Sequence, residues 1–259
     1  FLNAIISGTE AGKQSIRTRP GVTTWAGAPS APVASPVIGM YVFKEWLIFV
    51  TEDRYIWAAD GNGGYIALSS SDTATQLPGT LRPTFSTVGT WTTARVLIAG
   101  GGAIMKWNGA GLAAVLSGSP PPSTHTASIA QRSVALQYGP TGNFYCTDVS
   151  SSASPDPFES TWTNVLETVA NIDPLVALHT NTNELFAFGT RTTQVFVPDA
   201  TNKFATARTL NIGIAAPYSV VMDDDAFAWL DHTRRFIASD GREVEYISSP
   251  VIDETLSSI

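Results

Sequence analysis

Residues 47–61 run Leu47-Ile48-Phe49-Val50, Thr51-Glu52-Asp53-Arg54, Tyr55-Ile56-Trp57-Ala58, then Ala59, Asp60 and Gly61. They form a short apolar strand, a polar turn, a second apolar strand and a closing Asp-Gly. Apolar runs of four residues bounded by turn formers are too short for helices and suit strands buried on both faces. The unit recurs as Val96-Leu97-Ile98-Ala99, Gly100 to Gly102, Ile104-Met105-Lys106-Trp107 and Asn108-Gly109. A third copy is Val134 to Tyr138, Gly139 to Asn143, and Phe144-Tyr145-Cys146. A fourth is Leu185-Phe186-Ala187-Phe188, Gly189 to Thr192, and Gln194-Val195-Phe196-Val197. The fifth is Ala226 to Leu230, Asp231 to Arg234, and Arg235-Phe236-Ile237-Ala238, closed by Asp240-Gly241.

The starts at 47, 96, 134, 185 and 226 are separated by 49, 38, 51 and 41 residues. That is the spacing of propeller blades, about 40–50 residues with four strands each. A lone four-stranded sheet cannot cover both its apolar faces, whereas blades stacked around an axis can. The pattern therefore predicts an all-β chain: one β-propeller domain over 1–259 with five to six blades, or part of a larger propeller. Each hairpin is expected as the middle pair of a blade. A six-bladed ring would close if Ile5 to Val22 completed the last blade. The sequence opens on Phe1 in strand-like residues, which fits a processed product or a piece of a longer protein.

Charged residues make up only 14% of the 259, and Asp and Glu outnumber Lys and Arg by 22 to 15, for a net charge of −7. Nonspecific DNA binding needs cation-rich surfaces, so this chain is a poor gripper of DNA. It could still line a conduit that DNA slides through. The single cysteine, Cys146, excludes an internal disulfide framework and reads as a small buried side chain. No run of about twenty apolar residues is present, so membrane insertion is not expected. Proline-rich stretches at Ala28 to Pro36, Gly118 to Ser123 and Ser150 to Pro157 read as loops, as does the uncharged stretch Trp107 to Gln131. Trp162 to Ala170 is the best helical stretch and is too short to be convincing.

Chemistry-bearing motifs are few. Gly100-Gly101-Gly102 precedes a strand rather than a helix, so it is a hairpin turn and not a phosphate cradle. Gly61 to Gly64 is likewise a turn. Asp223-Asp224-Asp225 lacks the ligand spacing of a calcium loop and reads as a turn before Ala226. Asp53, Asp60, Asp231 and Asp240 fall where Asp caps its own turn. His125, His179 and His232 are too far apart in sequence for a zinc motif. Glu10, Glu45, Glu159, Glu167, Glu184, Glu243 and Glu245 offer no specific pair for glycoside hydrolysis. Trp25, Trp46, Trp57, Trp91, Trp107, Trp162 and Trp229 fit core packing better than sugar stacking. No residue is assigned a catalytic, cofactor-binding or metal-binding role, and no cofactor is implied.

Phe144 to Asp148, Thr161-Trp162 and Asp173 to Leu178 resemble the packaged-DNA-stabilisation proteins of short-tailed bacteriophages, also called tail accessory factors or tail hub proteins. So do Asn183 to Phe196 and Gly213 to Val220. Arg19-Pro20-Gly21-Val22 and Gly39-Met40-Tyr41-Val42 are similar to that family's opening segments. Family members are longer at both ends and often carry Trp where Phe186 and Phe196 stand. The resemblance implies a structural virion protein without catalytic residues. It would be a tail hub or nozzle subunit, in six copies below the portal–adaptor ring. It would close or extend the exit channel for packaged DNA and hold a tail needle, fibres or spikes. The alternatives on a propeller are a glycan hydrolase or lyase, marked by two carboxylates in one cleft, and a carbohydrate-binding module, marked by exposed Trp in successive blades.

Overall fold

The computed structural model describes residues 35–60, 64–69, 76–89, 93–139, 143–148, 162–165, 173–223 and 226–257, and the backbone of two N-terminal strands. Those strands, β1 (Ala4–Thr9) and β2 (Lys13–Thr18), form a two-stranded antiparallel sheet. Five four-stranded antiparallel sheets follow, each made from consecutive strands. Blade 1 is β3 (Val37–Phe43), β4 (Trp46–Thr51), β5 (Ile56–Ala59) and β6 (Tyr65–Ala67). Blade 2 is β7 (Thr84–Val88), β8 (Arg95–Ala99), β9 (Met105–Trp107) and β10 (Ala114–Val115). Blade 3 is β11 (Ser123–Ile129), β12 (Arg132–Gln137), β13 (Phe144–Cys146) and β14 (Thr163–Asn164). Blade 4 is β15 (Leu175–Thr180), β16 (Leu185–Gly189), β17 (Thr193–Asp199) and β18 (Lys203–Leu210). Blade 5 is β19 (Val221–Asp223), β20 (Ala226–Leu230), β21 (Phe236–Ser239) and β22 (Val244–Tyr246), and a helix, α1 (Pro250–Ser257), follows it.

All five expected hairpins are the middle pairs of blades: β4–β5, β8–β9, β12–β13, β16–β17 and β20–β21. Two expectations need correction. Trp107 to Gln131 is not a loop throughout, because it contains β10 and all of β11. β11 reads Ser-Thr-His-Thr-Ala-Ser-Ile; hydroxyls replace the aliphatics that usually announce a strand, and Thr suits extended backbone. The N-terminal segment completes no four-stranded sixth blade among the described residues, since β1 and β2 form a sheet of two strands. The Trp162 to Ala170 stretch supplies β14, with 166–170 outside the described residues. Among the described residues the helix is α1, begun by Pro250 at a position where the missing amide costs nothing. Most of the loops at 28–36 and 150–157, and the early Pro-Gly turn at 19–22, also lie outside the described residues.

The core consists of four apolar clusters, one at each junction of consecutive blades. Ile48, Val50 and Ile56 of blade 1 meet Val96, Ile98 and Trp107 of blade 2. Leu97 and Ala99 meet Ala135 of blade 3. Val134, Leu136 and Phe144 meet Leu185, Ala187 and Phe196 of blade 4. Phe186, Phe188 and Val195 meet Phe227, Trp229 and Ile237 of blade 5. Alternate residues of one strand thus serve opposite junctions, the consequence of a side-chain period of two.

Polar links stitch the same junctions. Arg54, in the β4–β5 turn, donates from Nη1 to the Leu81 carbonyl at 2.7 Å and from Nε to Leu77 at 3.2 Å. The Gly100–Gly102 turn docks on blade 3: Gly101 N–H donates to Ser123 O at 2.8 Å, and Ser123 N–H to Gly102 O at 2.9 Å. Gly101 has φ +91°, which a side chain would resist. Lys203 pairs with Asp148 at 2.7 Å, linking blades 4 and 3. Arg208 makes a two-pronged pair with Glu184 at 2.8 and 2.7 Å, and its Nε also donates to the Gly241 carbonyl of blade 5.

At the fourth junction the Phe186 and Phe227 ring centroids lie 4.5 Å apart. Phe186→Ala should lower stability by about 3–5 kcal/mol, read as the midpoint shift in urea unfolding at unchanged slope.

Candidate functional site

β3 lies beside β7, β7 beside β11, and β11 beside β15, so the first strands of blades 1 to 4 adjoin one another in order. Residues from all five blades wall a cavity of about 450 Å³ there. Tyr41, Arg82, Thr87, His125, His179 and Tyr218 are its main polar lining. His125 stacks on Tyr218 with centroids 5.4 Å apart and meets His179 edge-on at 6.5 Å. The Arg82 guanidinium sits 5.6 Å from the Tyr218 ring, and Tyr41 Oη is 2.9 Å from Thr87 Oγ1. Burial, then the neighbouring His179, lower the His125 pKa to about 3, against the Pro217 carbonyl, which favours the charged ring. Burial lowers His179 to about 4. Both imidazoles are therefore neutral at pH 7. Burial raises the Tyr218 phenol, opposed by Arg82 and Arg54. No carboxylate lines this cavity among the described residues. The charged group in its described lining is Arg82, set among neutral imidazoles and aromatic rings.

A second constellation centres on Asp173, just before β15. Its Oδ1 accepts from Thr190 N–H at 3.1 Å and the Thr190 hydroxyl at 2.6 Å. Its Oδ2 accepts from Arg191 N–H at 2.8 Å, Thr192 N–H at 2.7 Å and the Thr192 hydroxyl at 2.8 Å. Burial opposes the charge, but these bonds outweigh it and hold the carboxyl below its ordinary value. The fit leaves no spare room. A Cβ on Gly189 would stand 2.3 Å from Asp173 Oδ2, and one on Gly213 would stand 2.3 Å from the Arg191 backbone nitrogen. Gly213 also ties in blade 5, accepting from Trp229 Nε1 at 3.2 Å and donating its N–H to His232 Nδ1 at 3.2 Å.

Residues 69–259, well over half the chain, match the family described as Bacteriophage P22 Gp10, beta-propeller. The chain belongs to this phage-stabilisation family. It is accordingly a phage structural protein and a virion component. No curated protein matches the sequence. Among solved structures it is similar to YCF48 bound to D1 peptide, with TM-score 0.55 and 12% identity, covering 84% of this chain and 68% of that one. It is also similar to BBS1N in complex with ARL6DN, with TM-score 0.56 and 12% identity over 85% and 68% of the two chains. A third is BamB from Moraxella catarrhalis, with TM-score 0.53 and 9% identity over 81% and 59%. At such identities the likeness shows the propeller fold alone.

Asp173, Glu184, Gly189, Thr190, Thr192 and Gly213 all fall in the segments that resemble the phage-stabilisation family, and each has a contact that a different side chain would lose or obstruct. These residues brace a scaffold and make no reactive site.

The other sequence candidates are dispersed. His125 and His179 converge at the axis, while His232 holds the Gly213 amide elsewhere. Asp60, Asp231 and Asp240 cap their own turns, with Oδ1 accepting from Gly64, Thr233 and Arg242 N–H at 2.7, 2.8 and 2.8 Å. Asp53 is exposed in the β4–β5 turn. Glu184 is bound to Arg208, and Glu45, Glu243 and Glu245 are exposed. Asp224, Asp225, Glu10, Glu159, Glu167, Trp25, Trp91 and Thr161 lie outside the described residues. Trp107 and Trp229 are buried, and Trp46, Trp57 and Trp162 are half-buried. Cys146 is buried in the junction of blades 3 and 4, and burial pushes its thiol to about 11, against Lys203 and Arg132. Among the described residues no group of three His, Cys, Asp or Glu could hold a metal, and no helix is long and apolar enough to cross a membrane. The axial pair His125–His179 and the Asp173 knot were not foreseen. The one available signal for the knot was the density of Thr and Gly after Phe188.

Asp173→Ala should cost about 1–3 kcal/mol at pH 7, since it strands five donors. Because the native carboxyl titrates below its unfolded value, the wild-type advantage should persist above about pH 4 and vanish as pH falls through the depressed pKa. The histidines act over a higher window. Their folded pKa values of about 3 and about 4 lie below the ordinary 6.5, so stability should fall, on the order of a few kcal/mol, between pH 6.5 and 4. A His125→Gln/His179→Gln chain should show a flatter pH profile in chemical denaturation.

Proposed function

We propose that this chain is a tail hub or nozzle subunit of a short-tailed phage. It would be seated below the portal–adaptor ring, where it closes or extends the DNA exit channel and docks a tail needle, fibres or spikes. The observation that carries this reading is the family match over residues 69–259. Three physical features support it. The stacked blades, cross-linked by Arg54, Lys203 and Arg208, are suited to resist the pressure of packed DNA. The net charge of −7 disfavours sticking of a polyanion that must move. The axial cavity, at about 450 Å³, has the volume of a small-molecule pocket and is no bore for a duplex. The channel would therefore run between subunits of a ring, six copies in our proposal, with the acidic chain making no sequence-specific DNA contact. Partner contacts would fall on inter-strand loops, which vary without disturbing the blade junctions.

Mixed with a purified portal–adaptor complex from a short-tailed phage that carries this family, the protein should co-sediment as a stoichiometric ring visible by electron microscopy. It should not shift duplex DNA at physiological salt or turn over glycosides and esters. Robust hydrolysis abolished by a single Glu→Gln change, without any assembly, would overturn the proposal.

A further inference from the structure

Packing alone does not account for the lining of the axial cavity. Three of its buried polar atoms, Ser86 Oγ, His125 Nε2 and Thr126 Oγ1, have no partner in hydrogen-bonding geometry. His125 and Thr126 are only 3% and 5% exposed. A polar group buried without a partner is costly, and native chains hold few of them. All three stand on the first strands of their blades, Ser86 on β7 and the other two on β11. Three such groups in one cavity mark a surface suited to the polar edge of a ligand.

The rest of the lining restricts what that ligand can be. Two stacked ring pairs line the same cavity. Tyr41 lies on Phe85 with centroids 5.5 Å apart and planes within 4°, and His125 lies on Tyr218 at 5.4 Å and 20°. Exposed ring faces and edges accept flat rings of many kinds. The volume of about 450 Å³ falls in the range of small-molecule pockets. Arg82 and Met222 are exposed, so the cavity opens to solvent beside a cation. The Arg82 guanidinium meets the Tyr218 ring and pairs with no carboxylate among the described residues. On its outer side Arg82 borders a second cavity together with Arg54 and Glu52, so two guanidiniums and one carboxylate surround the mouth.

We propose that the axial cavity is a nucleotide site. It takes one heteroaromatic base against its aromatic rings, with the base edge on Ser86, His125 and Thr126 and a phosphate on Arg82. A bare phosphate would use Arg82 and nothing else. A plain aromatic acid would use Arg82 and the rings and leave the three polar atoms unpaired. A base with donors and acceptors on its edge uses all three features. Each hydroxyl offers both a donor and an acceptor, so more than one base fits. Free mononucleotide and the terminal nucleotide of a single strand share this chemistry. A base inside a duplex is paired and stacked and does not reach the cavity. The inference does not rest on the tail-hub reading, because it concerns one cavity within the chain and not where the chain sits.

Titration of the purified protein with nucleoside monophosphates, followed by calorimetry and saturation-transfer NMR, tests it. AMP should bind saturably at one per chain, adenosine more weakly, and inorganic phosphate more weakly still. Arg82→Gln should weaken AMP about tenfold, as expected for loss of a charge-assisted contact, and leave adenosine unchanged. Thr126→Val should weaken both AMP and adenosine without lowering Tm, because the hydroxyl it removes has no partner in the fold. A hydroxyl that merely held the structure would give the reverse. If Thr126→Val does not fold, Ser86→Ala makes the same test of the base edge. Displacement of AMP by a linear single-stranded oligonucleotide, but not by its circular form, supports the proposal with a strand end as the source. Displacement by neither supports it with free mononucleotide. The proposal is overturned if no nucleoside monophosphate binds saturably, if binding survives both substitutions unaltered, or if inorganic phosphate binds as tightly as AMP. Binding of indole-3-acetate without any of AMP would assign the cavity to an aromatic acid and overturn it as well.

Discussion

Each blade of this protein is a thin sheet with two apolar faces, and the stacking of one such face on the next is the interaction on which the rest of the structure depends. A four-stranded sheet has no interior of its own. Its side chains leave water only when another sheet arrives. Phe186 and Phe188 face Phe227 and Trp229 across one junction, while Leu185 and Ala187 on the same strand face Phe144 across another. A single strand thereby ties three blades together. Stability is shared around the axis, and loss of one blade would expose two faces at once.

Stacking is non-directional, so something else must set how each pair of blades is aligned. The polar links do this. Arg54 meets carbonyls of the neighbouring blade at fixed positions, Ser123 and Gly101–Gly102 exchange backbone bonds, and Arg208 grips Glu184 while reaching blade 5. Within blade 4 the Asp173 knot does the same for a turn, because one carboxylate orders it and two glycines let the backbones close around it. An aliphatic in a junction can be exchanged for another of similar volume, whereas a carboxylate with five donors and a glycine without room for a Cβ cannot.

The same construction fits a structural role in a virion. The groups that might have been reactive are spent on architecture: Glu184 in an ion pair, Asp231 in a turn, His232 on a backbone amide. The axial histidines are held neutral by burial and have no carboxylate in their cavity among the described residues.

The sequence by itself determined the middle hairpin of each blade and the propeller class. Those follow from local rules: side chains alternate across a strand, short apolar runs bounded by Asp and Gly must turn back, and a unit of about 45 residues recurs. It determined the turn roles of Asp60, Asp231 and Asp240, which bond within a few residues. It missed β11, where serine and threonine replace aliphatics on the innermost strand of blade 3. Only the tertiary structure brought His125 to His179 and Asp173 to Thr190 and Thr192, because those encounters join segments far apart along the chain. Only the tertiary structure, too, decided which faces of the end blades are covered. An apolar run such as Ala226 to Leu230 is written alike whether it has one neighbour or two, and the count of neighbours is a property of the assembled ring.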